Sequence, residues 1–325
     1  MYTTPILFLI FNRPTKTKRV LEVLQILKPA QVYLVADGPR EGNVDDLTLC
    51  NETRDLALKM IDWPCELVRY FRDENVGCGK GVSDAITWFF SHVEEGIILE
   101  DDCLPDLSFF AFCSVLLNRY RDNNKIMHIG GNNFQFGQIR GDGDYYYSFF
   151  SHNWGWATWR RAWSHFQYDL DSQKGLIGKV YRASYNHNKA LIWFLDNRFD
   201  EIKMPQNHIW DIQWHFAIIK NRGISITPNK NLVINIGFGI DATHTKIEED
   251  WNRLNPSTEL NSFKKPSVKT IDHVADRLTM SEVFKIDNAF LDFKKVQEDK
   301  KIFTRQKYLK NIKKIIKAFL LRNMK

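Results

Sequence analysis

Residues 96–105 read Gly96-Ile97-Ile98-Leu99-Glu100-Asp101-Asp102-Cys103-Leu104-Pro105. An aliphatic run with no polar residue suits a strand buried on both faces. It ends at three adjacent carboxylates, whose mutual repulsion is costly unless a cation or hydrogen bonds offset it. The stretch therefore predicts a strand that crosses a core and emerges at an edge where charge is used. Upstream, the same kind of unit repeats. Pro5–Phe11 is a continuous apolar run, and beyond Pro14 the residues Val20, Leu21, Leu24 and Leu27 recur at helical spacing. Gln31–Ala36 reads as the second strand, closed by the turn signal Asp37-Gly38-Pro39, with a helix over Asp45–Ile61. Cys65–Arg72 reads as the third strand and Gly81–His92 as its helix. Strand–helix units in this succession predict a parallel α/β sheet with helices on its faces.

Beyond residue 126 the rhythm changes. Ile126–Ile129, Tyr145–Phe150, Ile224–Thr227 and Leu232–Ile236 read as strands; Gly155–Phe166, Asn188–Asn197 and Asn207–Lys220 read as helices; Thr243–Pro266 reads as mostly loop. No internal repeat is present. The expected organisation is a ligand-binding half over 1–130, a second half of the same domain over 131–245, an extension over 246–299 and a basic tail over 300–325.

Composition narrows the function. Of 325 residues, 44% are hydrophobic and 26% charged, as in an ordinary globular chain. The net charge of +6 is unevenly spread. Residues 300–325 hold ten of the 45 Lys and Arg and no Asp or Glu, so the rest carries 35 basic against 39 acidic residues, a net of −4. A slightly acidic body argues against nucleic acid as a partner. Cys50, Cys65, Cys78, Cys103 and Cys113 form no CxxC pair and read as reduced thiols of a cytoplasmic protein. The apolar start has no basic flank and is too short to span a bilayer.

In an open α/β sheet, ligands bind outside the carboxyl ends of the strands. There the sequence places Asn12 and Arg13, Asp37, Asp73 and Asn75, the loop Gly77-Cys78-Gly79-Lys80-Gly81, and Glu100-Asp101-Asp102. The glycine loop fits neither G-x-G-x-x-G nor a P-loop, and alone reads as a flexible turn. The carboxylate triplet offers hard oxygen ligands suited to Mg²⁺ or Mn²⁺; it also reads as an acidic turn before a helix, where Asp106 would serve as cap.

The E-D-D strand end resembles the DxD-type metal motif of GT-A glycosyltransferases. With the flanks Asn75-Val76-Gly77 to Ala85-Ile86 and Gly96 to Pro105, it resembles a bacterial family of glycosyltransferases also described as haemolytic-protein-like. It is more distantly similar to the inverting N-acetylglucosaminyltransferase I group. The resemblance covers about residues 5–240. It implies a Rossmann-like GT-A fold with a mixed, mainly parallel sheet and a hexosyl- or N-acetylhexosaminyltransferase. A nucleotide-sugar, UDP-sugar favoured, would be the donor, and a glycan or lipid-linked saccharide in cell-surface polysaccharide assembly the acceptor. By that resemblance Asn12 and Arg13 line the uridine and diphosphate, Asp37 meets the base, Glu100 and Asp101 face the nucleoside, and Asp102 binds the metal. Asn75 and Lys80 join the substrate-binding set. Asp211, in Trp210-Asp211-Ile212-Gln213-Trp214, is the candidate base, though the relatives' segment differs in spacing; an ordinary helix residue is the other reading. Gly155-Trp156 resembles the family's G-W segment near donor sugar and acceptor. Trp154 joins it, because an aromatic face suits a sugar ring. By spacing, Trp156, Trp159 and Trp163 read as helical core. His244 adds a metal or diphosphate contact, or is a solvated loop histidine. His128 reads as structural.

The tail sets Leu309, Ile312, Ile316, Phe319 and Leu320 at helical spacing between Lys310, Lys313, Lys314 and Lys317. A basic amphipathic helix suits an anionic membrane surface, which would place the protein peripherally on the inner face of the cell membrane; a helix packed on the body, or a disordered charged end, is the alternative. Two rival functions remain. A sugar-nucleotidyltransferase would carry a Gly-rich loop after the first strand, where this chain has Phe11-Asn12-Arg13-Pro14. A non-enzymatic sugar-binding or membrane-active protein would not need the triplet.

Overall fold

The computed structural model describes residues 1–170, 173, 176, 179–180, 188–202, 209–237 and 263–286. The apolar run near the start forms β1 (Ile6–Ile10), buried at every residue. Strand side chains alternate between faces: Ile6, Phe8 and Ile10 enter one core, Leu7 and Leu9 the other. Each contributes about 1.5–3 kcal/mol relative to exposure, so a run with no polar residue belongs in mid-sheet. β2 (Gln31–Ala36) and β4 (Glu95–Glu100) flank it in parallel, and β3 (Glu66–Phe71) lies parallel beyond β2.

Helices α1 (Pro14–Leu27), α2 (Val44–Met60) and α3 (Cys78–His92) make the crossovers. Pro14 starts α1 where a missing N–H costs nothing. Asn43 caps α2 by accepting the Asp46 N–H, and Asp106 caps α4 (Leu107–Tyr120) by accepting the Ser108 N–H. Val20, Leu24, Phe109 and Leu116 of α1 and α4 cover one sheet face; Ile86 and Phe89 of α3 cover the other.

β6 (Ile126–Gly130), β7 (Tyr145–Ser148), β8 (Trp156–Trp159) and β9 (Ile224–Pro228) extend the sheet to the order β3-β2-β1-β4-β8-β6-β9-β7. β8 runs antiparallel to β4 and β6, β9 runs parallel to β6, and β7 runs antiparallel to β9. The α/β class expected from the sequence, a mixed and mainly parallel sheet with helices on both faces, is the architecture observed.

One expectation fails in an instructive way. Gly155–Phe166 is not one helix: Trp156–Trp159 is β8, and only Arg160–Trp163 (α5) is helical. Trp156 and Trp159 stand an odd number of residues apart, so on a strand they face opposite sides. Trp156 packs in the core of Leu7 and Phe89, Trp159 in that of Ile6 and Phe109. Two-sided burial had mimicked a helical period. The Gly77–Gly81 stretch likewise is not a free turn but the N-terminus of α3, with Gly77 at φ 82°. The expected strand near 232–236 forms as β10 (Val233–Asn235), yet it pairs with β5 (Cys103–Pro105), a strand not foreseen, outside the large sheet. Two later helices are α6 (Lys189–Ile202) and α7 (Asp211–Lys220). All five cysteines are free. Among the described residues no helix is long and apolar enough to cross a membrane. The basic tail and His244 lie outside the described residues.

Residues 263–286 strap the outer sheet edge. Asp144 N–H donates to Lys264 C=O at 3.0 Å and Ile271 bridges to Tyr147. In α8 (His273–Leu278) the buried Asp276 accepts from Ser148 Oγ at 2.6 Å and Phe149 N at 3.1 Å. Burial pushes the Asp276 carboxyl up to about 7. A carboxyl raised in the folded state keeps its proton after the unfolded chain has lost it. Its contribution therefore falls as pH rises from the ordinary aspartate range to about 7 and is flat above. Asp276→Asn should remove that slope, so thermal unfolding at pH 4, 5.5, 7 and 8.5 should show the variant gaining on the native protein up to about pH 7 and no further.

Candidate functional site

The carboxyl ends of β1, β2, β3, β4, β6 and β9 share one sheet edge because these strands share a direction. β8 runs the other way, so the residues before it, Trp154 and Gly155, reach the same edge.

The triplet sits at its centre. Asp101, 4% exposed, accepts the Phe11 N–H at Oδ2 (3.2 Å) and Arg13 Nη1 at Oδ1 (3.2 Å). The same Nη1 lies 2.9 Å from Asp102 Oδ2. The repulsion among the carboxylates is thus offset by a cation from the end of the neighbouring strand. Burial pushes the Glu100 carboxyl well above the usual range, with Asp102 and Asp101 adding to it. Burial also raises Asp101, against the pull of Arg13. For Arg13, burial works against the charge, but Asp101 and Asp102 outweigh it and hold the guanidinium more firmly protonated.

Asp102 is gripped from the other side by the chain after β10. Ile236 N–H donates to the Asp102 C=O at 2.7 Å. A Cβ on Gly237 would lie 2.6 Å from Asp102 Oδ2 and 2.7 Å from Asn235 Oδ1, so the position a side chain would fill is bordered by two hard oxygens. Asp211 comes from the first turn of α7, exposed, its Oδ1 accepting the Ile212 N–H at 3.0 Å. Burial raises both Glu100 and the Cys78 thiol, and the charge of Asp211 adds to each rise.

Other residues singled out from sequence take up supporting positions. Asp37 Oδ1 accepts the Gly38 N–H (3.0 Å) and the Val76 N–H (3.2 Å), and burial raises its carboxyl. Asn75 donates to Gly38 C=O (2.9 Å) and accepts the Gly77 N–H (3.1 Å), so it ties the loop after β2 to the start of α3. Asn12 donates to Asp46 Oδ1 at 2.7 Å. Gly155, at φ 59°, packs against Val233 and Leu99, and Trp154 is half-buried with its ring edge-on to Phe134.

Two expectations need correction. Trp156 does not line the site: it is fully buried, stacked at 5.1 Å on His128 and 5.7 Å on Trp210. Lys80 turns to the exposed face of α3 and pairs with Asp84 at 2.6 Å. His128 is structural, its Nδ1 accepting from Trp214 Nε1 (3.2 Å) and its Nε2 donating to His152 C=O (3.1 Å); burial pushes its pKa down to about 3.

The sequence reading missed Asp46, Asn235 and Gly237. Asp46, buried at the start of α2, binds Asn12 and Arg40 together and is held below the usual carboxylate range chiefly by Arg40. Beside Asp45 it looks like an ordinary helix-start acid. Asn235 and Gly237 gain meaning only once β10 is docked on β5. Beyond them, both ends of the Asn132 amide, Asn153 Oδ1 and Gln213 Oε1 are buried without a hydrogen-bond partner. Buried polar atoms of this kind call for a water or ligand.

No protein-family model and no curated protein matches this chain. Several solved structures share part of its architecture. UDP-glucose pyrophosphorylase complexed with UDP-glucose is 11% identical over 69% of this chain and 90% of its own, TM-score 0.36. HddC from Yersinia pseudotuberculosis complexed with GMP-PN is 11% identical over 50% and 78%, TM-score 0.32. Mouse xyloside xylosyltransferase 1 is 12% identical over 66% and 81%, TM-score 0.32. Likeness at this level decides nothing about activity.

The site's wall depends on a close approach. Gly131 N–H donates to Gly155 C=O at 2.8 Å, and a Cβ on Gly131 would fall 2.5 Å from Val233 Cγ2 and 2.7 Å from the Gly155 oxygen. Gly131→Ala should therefore cost about 1–3 kcal/mol in chemical denaturation, with wild-type stability refuting this packing.

Proposed function

We propose that the protein is a glycosyltransferase that moves a sugar from a nucleotide-sugar, most simply a UDP-sugar, to a hydroxyl of a glycan or lipid-linked acceptor, with a divalent metal and with inversion. The carrying observation is the carboxylate triplet at the end of β4, with Asp102 tied to Arg13 at 2.9 Å; the separate carboxylate of Asp211 at the start of α7 supports the reading.

The donor set suits the metal. Asp102 Oδ2 offers an oxygen ligand beside Gly237, next to Asn235 Oδ1, which accepts the Gly237 N–H at 2.6 Å. Among the described residues no three His, Cys, Asp or Glu side chains gather as a metal-binding group. A Mg²⁺ or Mn²⁺ held by Asp102, with His244 as a proposed further contact, would therefore complete its shell from phosphate oxygens and water, as such ions commonly do. When bound it neutralises charge developing on the departing diphosphate.

The chain's own residues carry the remaining work. Arg13, with its planar fork, suits the diphosphate. Asp37 and Asn12 line the nucleoside side, and Glu100 and Asp101 face the ribose and sugar. Trp154 and Gly155 border the sugar. Asp211 removes the proton from the acceptor hydroxyl as that oxygen attacks the anomeric carbon from the face opposite the leaving group. The unpartnered Asn132 amide and the Gln213 and Asn153 side-chain oxygens suit an acceptor rich in hydroxyls. The tail over 300–325, basic and apolar by turns, is proposed to hold the protein at an anionic membrane surface beside a lipid-linked acceptor.

A thermal-shift panel of UDP, GDP, CDP and their sugars, with and without Mn²⁺, should single out one nucleotide series with metal; no shift by any would refute the reading. Asp102→Ala should abolish metal-dependent hydrolysis of the chosen donor, and unchanged hydrolysis would remove Asp102 from the metal site. Asp211→Asn should keep UDP affinity while transfer falls about 10²–10⁴-fold; lost UDP binding would make it a donor-site residue instead.

A further inference from the structure

The loop after β2, residues 37–43, is built around an acid that the chemistry above does not use. Asp46, in the first turn of α2, has a side chain only 2% exposed. A buried carboxylate is costly unless it is paired and hydrogen-bonded, and Asp46 is met from several directions. Arg40 Nε donates to its Oδ2, and Arg40 Nη2 donates to its Oδ1 at 2.9 Å. The Arg40 backbone N–H donates to Oδ2 at 3.2 Å, and Asn12 Nδ2 donates to Oδ1 at 2.7 Å. A guanidinium held through two nitrogens by one carboxylate has its plane fixed. The Phe11 ring lies on one side of that plane, its centre 5.7 Å from Arg40 Cζ. Phe11 is itself pinned at the sheet edge, because its N–H donates to Asp101. Yet 58% of the Arg40 side chain is exposed. Its charge is matched by Asp46 and its Nε–Nη2 fork is already taken. What it still presents at the carboxyl edge of the sheet is a flat, rigid face.

We propose that Arg40 is a stacking platform for the nucleobase, which lies on the guanidinium face turned away from Phe11. The proposal rests on the reading of this edge as a nucleotide-sugar site. Guanidinium groups are planar and weakly hydrated, and they stack on aromatic rings even where water has access. The loop then divides its work. Asp37, three residues before Arg40, presents a carboxylate whose Oδ1 accepts the Gly38 and Val76 N–H groups, and it suits the hydrogen-bonding edge of a base. Arg40 takes the plane of the same base. Stacking accepts any base, since every base has a π-face, whereas edge contacts discriminate. Arg40 therefore supplies affinity and leaves the choice of base unchanged. Asp46 fixes the platform from beneath, and through Asn12 ties it to the end of β1. The fork spent on Asp46 is what separates this role from that of a phosphate clamp, which would need those donors for the ligand.

The test is calorimetric titration of the full chain, in Mg²⁺, with UDP, GDP and CDP and with inorganic pyrophosphate, a probe that has no base. Arg40→Lys keeps the charge and a partner for Asp46 but loses the plane. It should weaken the nucleotide that wild-type protein binds by about tenfold. Pyrophosphate affinity should stay within about twofold, and the order of preference among the three nucleotides should not change. Should Arg40→Lys fail to fold by circular dichroism, Arg40→Met combined with Asp46→Asn removes both charges together, leaves no bare buried acid, and carries the same expectations. Wild-type nucleotide affinity in the variant overturns the stacking role and leaves the nucleotide site standing. An equal loss for nucleotide and pyrophosphate overturns it too, and assigns Arg40 to the phosphates. A changed order of preference would make Arg40 a reader of the base edge instead. Wild-type protein that binds none of the three nucleotides removes the nucleotide-sugar reading and this proposal together.

Discussion

Three neighbouring carboxylates at the end of a buried strand are tolerable only with a cation beside them, and the rest of the site follows from where that cation comes from. Arg13 stands after β1, the strand adjacent to β4 in the sheet. Parallel pairing puts the two strand ends level, so one guanidinium nitrogen reaches both Asp101 and Asp102. The Phe11 N–H then completes the hold on Asp101. Breaking such a pair from one side would leave an uncompensated charge, which is far worse than never having built the pair. Arg13 is therefore part of the fold at this edge.

The second half of the sheet serves the same edge by a different route. β8 enters antiparallel between β4 and β6, and its two tryptophans fill the cores on opposite faces. That reversal brings Trp154 and Gly155 to the carboxyl edge. The small pair of β5 and β10 closes the site from the side, setting Asn235 and Gly237 against Asp102. Glycines at 131, 155 and 237 stand where Val233, the Gly155 carbonyl or the Asp102 carboxylate approaches too closely for a side chain. The wall is thus made of close approaches that exclude side chains at these three positions.

Much of this was legible in residues 1–125. β1, β2 and β4 are largely apolar runs buried on both faces, and such runs announce themselves because nearly every position must be hydrophobic; β3, Glu66–Phe71, is the half-exposed edge strand. The triplet announced an edge with charge for the same reason, that it could not be core. The readings that went astray share one cause. Trp156 and Trp159 at a separation of three fit a helix face, but the same spacing serves a strand with a core on either side. Lys80 reads as part of the substrate-binding set, yet Asp84 lies one helical turn on and pairs with it. Asp46 carried no signal at all, since an acid at a helix start is ordinary until Asn12 and Arg40 converge on it.

By itself, then, the sequence determined the α/β class, the crossovers of the first half and the identity of the charged strand end, because these depend on local periodicity and on the cost of burying charge. Only the tertiary structure decided that Arg13 is the counter-cation of Asp101 and Asp102, that Trp156–Trp159 joins the sheet instead of covering it, and that β10 docks on β5 beside Asp102. Each of these is a pairing between segments distant in the chain. Strand register and direction choose such partners, and neither is written in the spacing of residues along one segment.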